Sequence, residues 1–468
     1  MAIALSKSKL LSFRQCPRRL WLEQYSPELE TPSREMDSSL ATGRVVGEIA
    51  RQVYGQGEGH LVSFERGLRG AIQSTHELLA QGGNAPIFEA TFDYDGLVVR
   101  VDILDRSEAR PRIIEVKAAT RVKEHYLDDC AIQAWTLQQL GLPIRQVAVA
   151  HIDNQFVYQG DGRYEGLFTE ADVTEPVYER FAAMPDLAAR ARTTLARLEE
   201  PMIDVGPQCR SPYACLFHSH CAPAEASATG TPVIGTGLRD FERRLGYPRY
   251  YLDFETIAFA VPIWKDTRPY EALPFQWSCL IDVDGTQLRG AAPFASARQP
   301  TRGLLLKEFL DVSGEPPMRR CAEALIETLG TAGPILMYTG YERRVINALA
   351  ARYSDLEAAL HAIAERLVDL HPVTKQHYEH PAMRGSWSIK AVLPTVAPDL
   401  RYDSLGEVQD GMAAQSAFLE AIKPETSAAR RGQLQQALLD YCRHDTLAMV
   451  RLVEFFAGSS ASPTCHPR

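Results

Sequence analysis

Three groups of side chains in this 468-residue sequence could do chemistry. Asp102 lies in the run VVRVDIL, and Glu115 and Lys117 lie in RIIEVKA. Both runs are apolar and β-branched, and the polar segment between them contains Pro111, so they predict a hairpin. Alternation along a strand puts Glu115 and Lys117 on one face with Val116 between them, and the turn brings Asp102 alongside. Carboxylates held that close repel. A hard divalent cation such as Mg²⁺ or Mn²⁺ relieves the repulsion through oxygen ligands, and a phosphodiester would complete its coordination. The plainer alternative is an exposed hairpin with a solvated ion pair.

The second group is the segment CRSPYACLFHSHC, in which Cys209, Cys215 and Cys221 are each separated by five residues. Three thiols in so short a segment suit a soft metal, and Cys16 is the expected fourth ligand. Zinc, with His218 or His220, is the other candidate, although zinc sites favour closer spacing. The third group begins at RYYLDFETIAF, where Asp253 and Glu255 alternate onto one strand face. It continues with Glu342, where the strand in GPILMYTGYERRVINALA runs into a helix. It ends with Tyr441 and Asp445, four apart on the amphipathic helix of LLDYCRHDTLAMVRLVEFF.

The elements that must hold these groups follow from periodicity and breakers. Residues 5–22 predict helix broken at Pro17, with Lys7, Lys9, Arg14, Arg18 and Arg19 interleaved with Phe13 and Trp21. Such a mixture suits a nucleic-acid strand or a solvated basic face. Helices are predicted over 41–54, 67–81, 126–140 and 183–199, and strands over 87–96 and 145–153. Glu48 on the first of these helices reads as a surface glutamate ahead of a candidate ligand, and Glu89 as a supporting carboxylate. Asp129 and Gln133 share a face of the 126–140 helix. Residues 222–247, opening with the small and polar APAEASATGTPVIGT, predict a linker, and 458–468 a flexible tail. A strand over 249–259, a strand and helix over 333–350 and a helix over 438–456 are expected beyond the linker. Asp369 reads as structural, His371, His377 and His380 as surface residues, and Lys390 as a phosphate contact or a solvated lysine.

A chain this long predicts two or three domains. Its net charge of −9 argues against a general nucleic-acid sponge but not against a locally basic channel. No apolar run reaches the length of a membrane span, and MAIALSKSKLL lacks a secretory signal, so a cytoplasmic location is expected. Nine cysteines without an export signal make a disulfide framework unexpected.

Asp102, Glu115-x-Lys117 and the later Gln133 resemble the PD-(D/E)XK nucleases of the RecB type. One cysteine near the start and three after the core resemble the iron–sulfur members of that group, where a [4Fe–4S] cluster staples the domain ends. The resemblance implies that Asp102 and Glu115 hold a metal with help from the Val116 carbonyl, that Lys117 stabilises the developing charge, and that Gln133 touches substrate or the metal shell. Leu137 stands where an aromatic residue is usual. Asp253-x-Glu255, Glu342, Tyr441 and Asp445 resemble the DEDD exonucleases of RNase H-like fold. There Asp253, Glu255 and Asp445 would bind metal and Tyr441 would orient the attacking water, with Glu342 in place of the usual aspartate. YLDFET, RPYEALPFQWS, GSWSIKAVLP and YCRHDTLAM further resemble a bacterial family of uncharacterised proteins in which the two segments are joined. The whole implies an α/β chain: a restriction-endonuclease-like domain over 1–221 with its iron–sulfur staple, and an RNase H-like domain over 248–457. The implied activity is metal-dependent hydrolysis of nucleic acid, single-stranded DNA ahead of RNA, with no membrane and with a helicase or a defence or repair partner left open. The competing expectation is a nucleic-acid-binding module with one or both sites inactive, favoured by Glu342 and Leu137.

Overall fold

The computed structural model describes residues 5–222, 230–285 and 304–458. It is mixed α/β with several sheets and divides into two compact units: Met1–Glu225 with Phe259–Tyr270, and Ala226–Ala258 with Glu271–Arg468.

In the first unit the chain runs through β1 (Leu5–Ser6), α1 (Lys7–Gln15), α2 (Pro17–Tyr25), α3 (Arg34–Gly55), β2 (His60–Leu61), α4 (Gly67–Gln81) and β3 (Ile87–Tyr94). It continues with β4 (Leu97–Asp105), β5 (Arg112–Lys117), α5 (Glu124–Gln139), β6 (Gln146–Ile152), β7 (Phe168–Asp172), α6 (Thr174–Tyr178), α7 (Met184–Leu195) and α8 (His218–Cys221). The sheet is ordered β2-β3-β4-β5-β6-β7, with β1 added to β4. β3, β4 and β5 are antiparallel and β5 is parallel to β6. Ile103 faces Ile114 across the β4–β5 pair, so both strands turn a β-branched row toward the core. α1 starts at the Ser6 cap, whose hydroxyl accepts from Lys9 N at 3.2 Å. Pro17 ends it: proline disfavours helical backbone at the preceding residue, and Cys16 is extended there (φ −162°, ψ 120°) before α2 begins. α5 is buried on nearly every face, so its polar residues Asp128, Asp129 and Gln133 need partners inside the protein.

The second unit contains β8 (Val233–Ile234), α9 (Gly237–Arg244), β9 (Arg249–Ile257), β10 (Leu273–Asp282), β11 (Leu305–Leu310), α10 (Met318–Leu329), β12 (Ile335–Met337), α11 (Tyr341–Arg352) and α12 (Glu357–Glu365). β13 (Leu367–Asp369), α13 (Leu370–His377), β14 (Tyr378–Glu379), α14 (Ile389–Val396), α15 (Gly411–Ala421) and α16 (Ala428–Gly458) follow. Its sheet is ordered β11-β10-β9-β12-β13, with β10 antiparallel to both neighbours and β12 parallel to β9 and β13. Every residue of β10 is buried, as a central strand covered on both faces requires. α16 packs across β9 and β10 and against α9, α14 and α15.

The expected linker is corrected here. From Val233 it holds a strand paired with β14 and the helix α9, and its small-residue stretch 223–229 lies outside the described residues. The expected tail also lies outside them from residue 459.

Arg249, 1 % exposed, opens β9 and closes α9. Its guanidinium donates to Glu242 Oε1 at 2.8 Å and to the carbonyls of Glu242, Leu245 and Gly246 at 3.1–3.3 Å. Arg249→Met strands a partly buried carboxylate and leaves the end of α9 without its donor. We expect a loss of about 3–5 kcal/mol in the second unit's unfolding free energy, read by urea denaturation. A change within a few tenths of a kcal/mol would show the clamp to be dispensable.

Candidate metal centres

The first centre is built on the β4–β5 hairpin and α5. Asp102 Oδ2 accepts from the Val116 N–H at 2.8 Å, which fixes Asp102 beside the Glu115-x-Lys117 run. Lys117 Nζ lies 2.6 Å from both Glu115 Oε1 and Asp129 Oδ2. Gln133 Nε2 donates to Glu115 Oε2 at 2.7 Å and Asp129 Oδ1 at 3.0 Å, while Gln133 Oε1 is buried with no partner among the described residues. A second ammonium enters from α1: Lys7 Nζ lies 2.7 Å from Asp129 Oδ1 and 3.4 Å from Glu115 Oε1.

Burial, with the charges of Asp102 and Asp129, pushes Glu115 up to about 7. Burial also raises Asp102, against the pull of Lys7 and Lys117. For Asp129 burial is outweighed by the two ammoniums, which hold its carboxyl well below the usual range. Burial opposes the charge on Lys117, yet Glu115 and Asp129 raise it well above an ordinary lysine.

Cys16, Cys209, Cys215 and Cys221 line one small cavity, with Arg18 and His218 at its wall. Burial raises the thiols of Cys215 and Cys221, and Arg18 opposes the rise at Cys221. Cys209 and Cys215 bracket a turn in which the Cys215 N–H donates to the Cys209 carbonyl at 2.8 Å. His220 contacts Glu200 at 3.2 Å and does not line the cavity.

The second centre lies at the middle of β9. Asp253, Glu255 and Asp445 each offer a carboxylate oxygen within 4.8 Å of the other two, and among the described residues this is the group that close-set ligand geometry picks out. β9 supplies the first two by alternation, and α16 supplies the third. Burial first, and then the neighbouring carboxylates, raises Asp253 and Glu255 well above the carboxylate range. Burial pushes Asp445 to about 6, restrained by hydrogen bonds from Tyr402 and Tyr441 and by the charge of Lys390. Glu342, in the first turn of α11 and 3 % exposed, is pushed by burial to about 8, and its Oε2 has no partner among the described residues. It feels the charge of Asp445 but lies outside the close-set triad. Lys390 Nζ stands 5.0 Å and 5.3 Å from the ring centroids of Tyr402 and Tyr441, a cation over two aromatic faces.

Asp102, Glu115, Lys117 and Gln133 are therefore brought together in one unit, and Asp253, Glu255, Asp445 and Tyr441 in the other. One expectation, that of a basic N-terminal face, is corrected. Lys7 points into the first centre, and the other N-terminal cations are engaged: Arg14 with Asp128 at 2.6 Å, Arg19 with Glu23 at 2.7 Å, Arg18 with Glu200, and Lys9 Nζ with Gln24 at 2.7 Å. They form no free basic face. Glu48 is exposed, the surface glutamate that the sequence favours over a ligand. Glu89 pairs with Arg100 at 2.8 Å, and its charge reaches Asp102. Lys390 is exposed, with its ammonium over the rings of Tyr402 and Tyr441. Asp369 caps α13, accepting from the N–H groups of Thr339 and His371 at 2.9 Å, which is the structural role expected of it.

Tyr402 and Cys442 went unread in the sequence. The Tyr402 hydroxyl donates to Asp445 Oδ1, and the Cys442 thiol lies 3.6 Å from Asp253 Oδ2. Cys442 shares α16 with Asp445 and was accessible to helical spacing. Tyr402 sits in a single 3₁₀ turn, where no periodicity marks it.

Residues 250–388 match a family model described as a domain of unknown function, DUF2779; the match spans Asp253, Glu255 and Glu342 and stops before Tyr441 and Asp445. No curated protein matches the chain. Among the described residues no helix is long and apolar enough to cross a membrane.

Proposed function

We propose that this chain is a metal-dependent nuclease with two separate acidic centres, acting on nucleic acid and on single-stranded DNA first. The observation that carries the proposal is the convergence of Asp253, Glu255 and Asp445 from a strand and a distant helix onto one small volume. Two buried carboxylates and a half-buried third that close are costly without a cation. The strand order third-second-first-fourth-fifth supports an RNase H-like reading of this unit, and the run α3-β3-β4-β5-α5-β6 supports a PD-(D/E)XK reading of the other.

The donors fit hard divalent ions: oxygen atoms only in the second centre, and in the first Asp102, Glu115 and the unpartnered Gln133 Oε1. Such an ion supplies Lewis acidity and lowers the pKa of water. The protein's own groups do the positioning. Tyr441 and Tyr402 orient Asp445, and Lys390 adds positive charge where a phosphate would approach. In the first centre Lys117 is held as an ammonium by Glu115 and Asp129, a donor fixed before substrate arrives.

The cysteine cavity supports a [4Fe–4S] group ahead of zinc. Tetrahedral zinc, with Zn–S near 2.3 Å, asks for sulfurs about 3.8 Å apart. Among the described residues no three of the cysteine sulfurs lie within 4.8 Å of one another.

The test compares cleavage of labelled single-stranded DNA, duplex DNA and RNA with Mg²⁺ or Mn²⁺ by wild type, Asp102→Ala, Asp253→Ala and the double variant. We expect each single variant to lose one component of the activity and the double variant to lose both. Equal cleavage by wild type and the double variant overturns the proposal. Retained binding without any cleavage leaves the binding-module alternative.

A further inference from the structure

The first centre and the cysteine cavity sit at opposite ends of one short helix. Lys7, the first residue of α1, reaches Asp129 and Glu115. About 12 Å further along the helix, Gln15 Nε2 donates to the carbonyls of Gln208 and Tyr213, both at 2.8 Å. Those carbonyls belong to the segment that carries Cys209 and Cys215, and the next residue of the helix chain is Cys16. A second line leaves the same segment. The Tyr213 ring meets His125 edge-on at 4.9 Å, His125 meets Tyr126 at 4.5 Å, and Lys117 Nζ stands 5.2 Å from the Tyr126 ring centroid. Two chains of contacts thus run from one cysteine-bearing turn to the two ammoniums of one acidic centre.

We propose that Lys7 is a working residue of the first centre, and that the 209–215 turn positions both Lys7 and Lys117, so that whatever the four cysteines bind sets the centre's cationic geometry. The inference deepens the nuclease proposal and rests on its reading of the first centre. The charge balance says what Lys7 is for. With all three carboxyls ionised, as a bound divalent ion would keep them, Asp102, Glu115 and Asp129 bring three negative charges against two ammoniums, a net of −1. A divalent ion takes the centre to +1, which matches one phosphodiester. Without Lys7 the loaded centre is neutral and gains nothing from the phosphate. Gln15, Tyr213, His125 and Tyr126 are positioning residues, acting through the lysines.

The experiment uses the full chain purified anaerobically, with Gln15→Ala, Tyr213→Leu, Lys7→Arg and Lys7→Met. Tyr213 is 53 % exposed, so its replacement spares the core, and all four cysteines remain in every variant. Reductive methylation followed by mass spectrometry reads the accessibility of each lysine amine, and metal content and melting temperature are read alongside. In Tyr213→Leu and Gln15→Ala we expect Lys117 and Lys7 to be methylated several-fold faster than in wild type, at unchanged metal content and melting temperature. Asp102-dependent cleavage should fall about tenfold to a hundredfold, the scale of a misplaced catalytic group. Lys7→Arg should keep part of the rate that Lys7→Met loses. Methylation rates equal to wild type in both turn variants overturn the coupling, and equal rates for Lys7→Arg, Lys7→Met and wild type overturn the role of Lys7. Faster methylation in a protein that cleaves nothing upholds the coupling and removes the nuclease reading instead.

Discussion

Asp253→Asn is expected to abolish metal-dependent cleavage at the second centre while making the metal-free protein more stable. The two effects have one cause. Asp253 is half-buried beside Asp445 and Glu255, and desolvation with their charges raises its carboxyl far above the normal range. An amide of the same shape removes one member of that repulsive set and one ligand of the cation. The expected loss of rate is about 10²–10³-fold, the scale found when a preorganised electrostatic group is removed. The expected rise in melting temperature in EDTA is a few degrees, on the order of 1 kcal/mol.

A pH dependence follows from the same carboxyls. Asp445 moves up to about 6 and Glu342 to about 8, from ordinary values near 4. A group whose pKa is raised by folding leaves the native state unpenalised below the unfolded pKa, and stability is lost as pH rises through the folded one. The metal-free second unit should therefore lose stability between about pH 4 and pH 8, and Mn²⁺ should reverse that loss most strongly at the upper end. Thermal denaturation across this range, with EDTA or with Mn²⁺, reads the slope. A wild-type slope in EDTA equal to that of Asp253→Asn, or Mn²⁺ stabilisation persisting in the variant, contradicts the assignment.

Cys16→Ser should cost the first unit several kcal/mol, not merely slow it. Cys16 stands nearly two hundred residues before Cys209, and β1 with α1 is tied to the sheet by the short pair of Leu5–Ser6 with Leu97–Val98. A covalent link across even a hundred residues is worth about 4.7 kcal/mol in chain entropy, and a structural metal contributes on that scale or above. We expect loss of absorbance near 400 nm, faster hydrogen exchange in α1, α2 and α8, and a lowered first-unit transition. Unchanged exchange in α1 and α8 would show that the four thiols hold nothing that matters to the fold.

What the sequence made legible was local. Glu115 and Lys117 flank Val116 on a strand of period two, and Tyr441 and Asp445 share a helix face; each pair is decided by spacing alone. Asp129 was visible as a helical neighbour of Gln133, but its role was not, because that depends on which cation docks against it. Lys7 reads as one of a basic run, since nothing between residues 5 and 22 tells that α1 lies against α5. Tyr402 reaches Asp445 across forty-three positions from an aperiodic turn. The linker expectation fails from residue 233 because β8 is only two residues long and its partner β14 lies far along the chain. Long-range docking of short elements is the common factor in these misses.

The order in which ligands occur along the chain also sets when each centre can exist during synthesis. Every side chain of the first, from Lys7 to Gln133, has left the ribosome early. Asp253 and Glu255 instead wait for Asp445 on α16, an interval of about 10 to 40 s at roughly 5–20 residues per second. A translating ribosome therefore carries no finished second centre beside its own messenger until that helix has emerged and folded down.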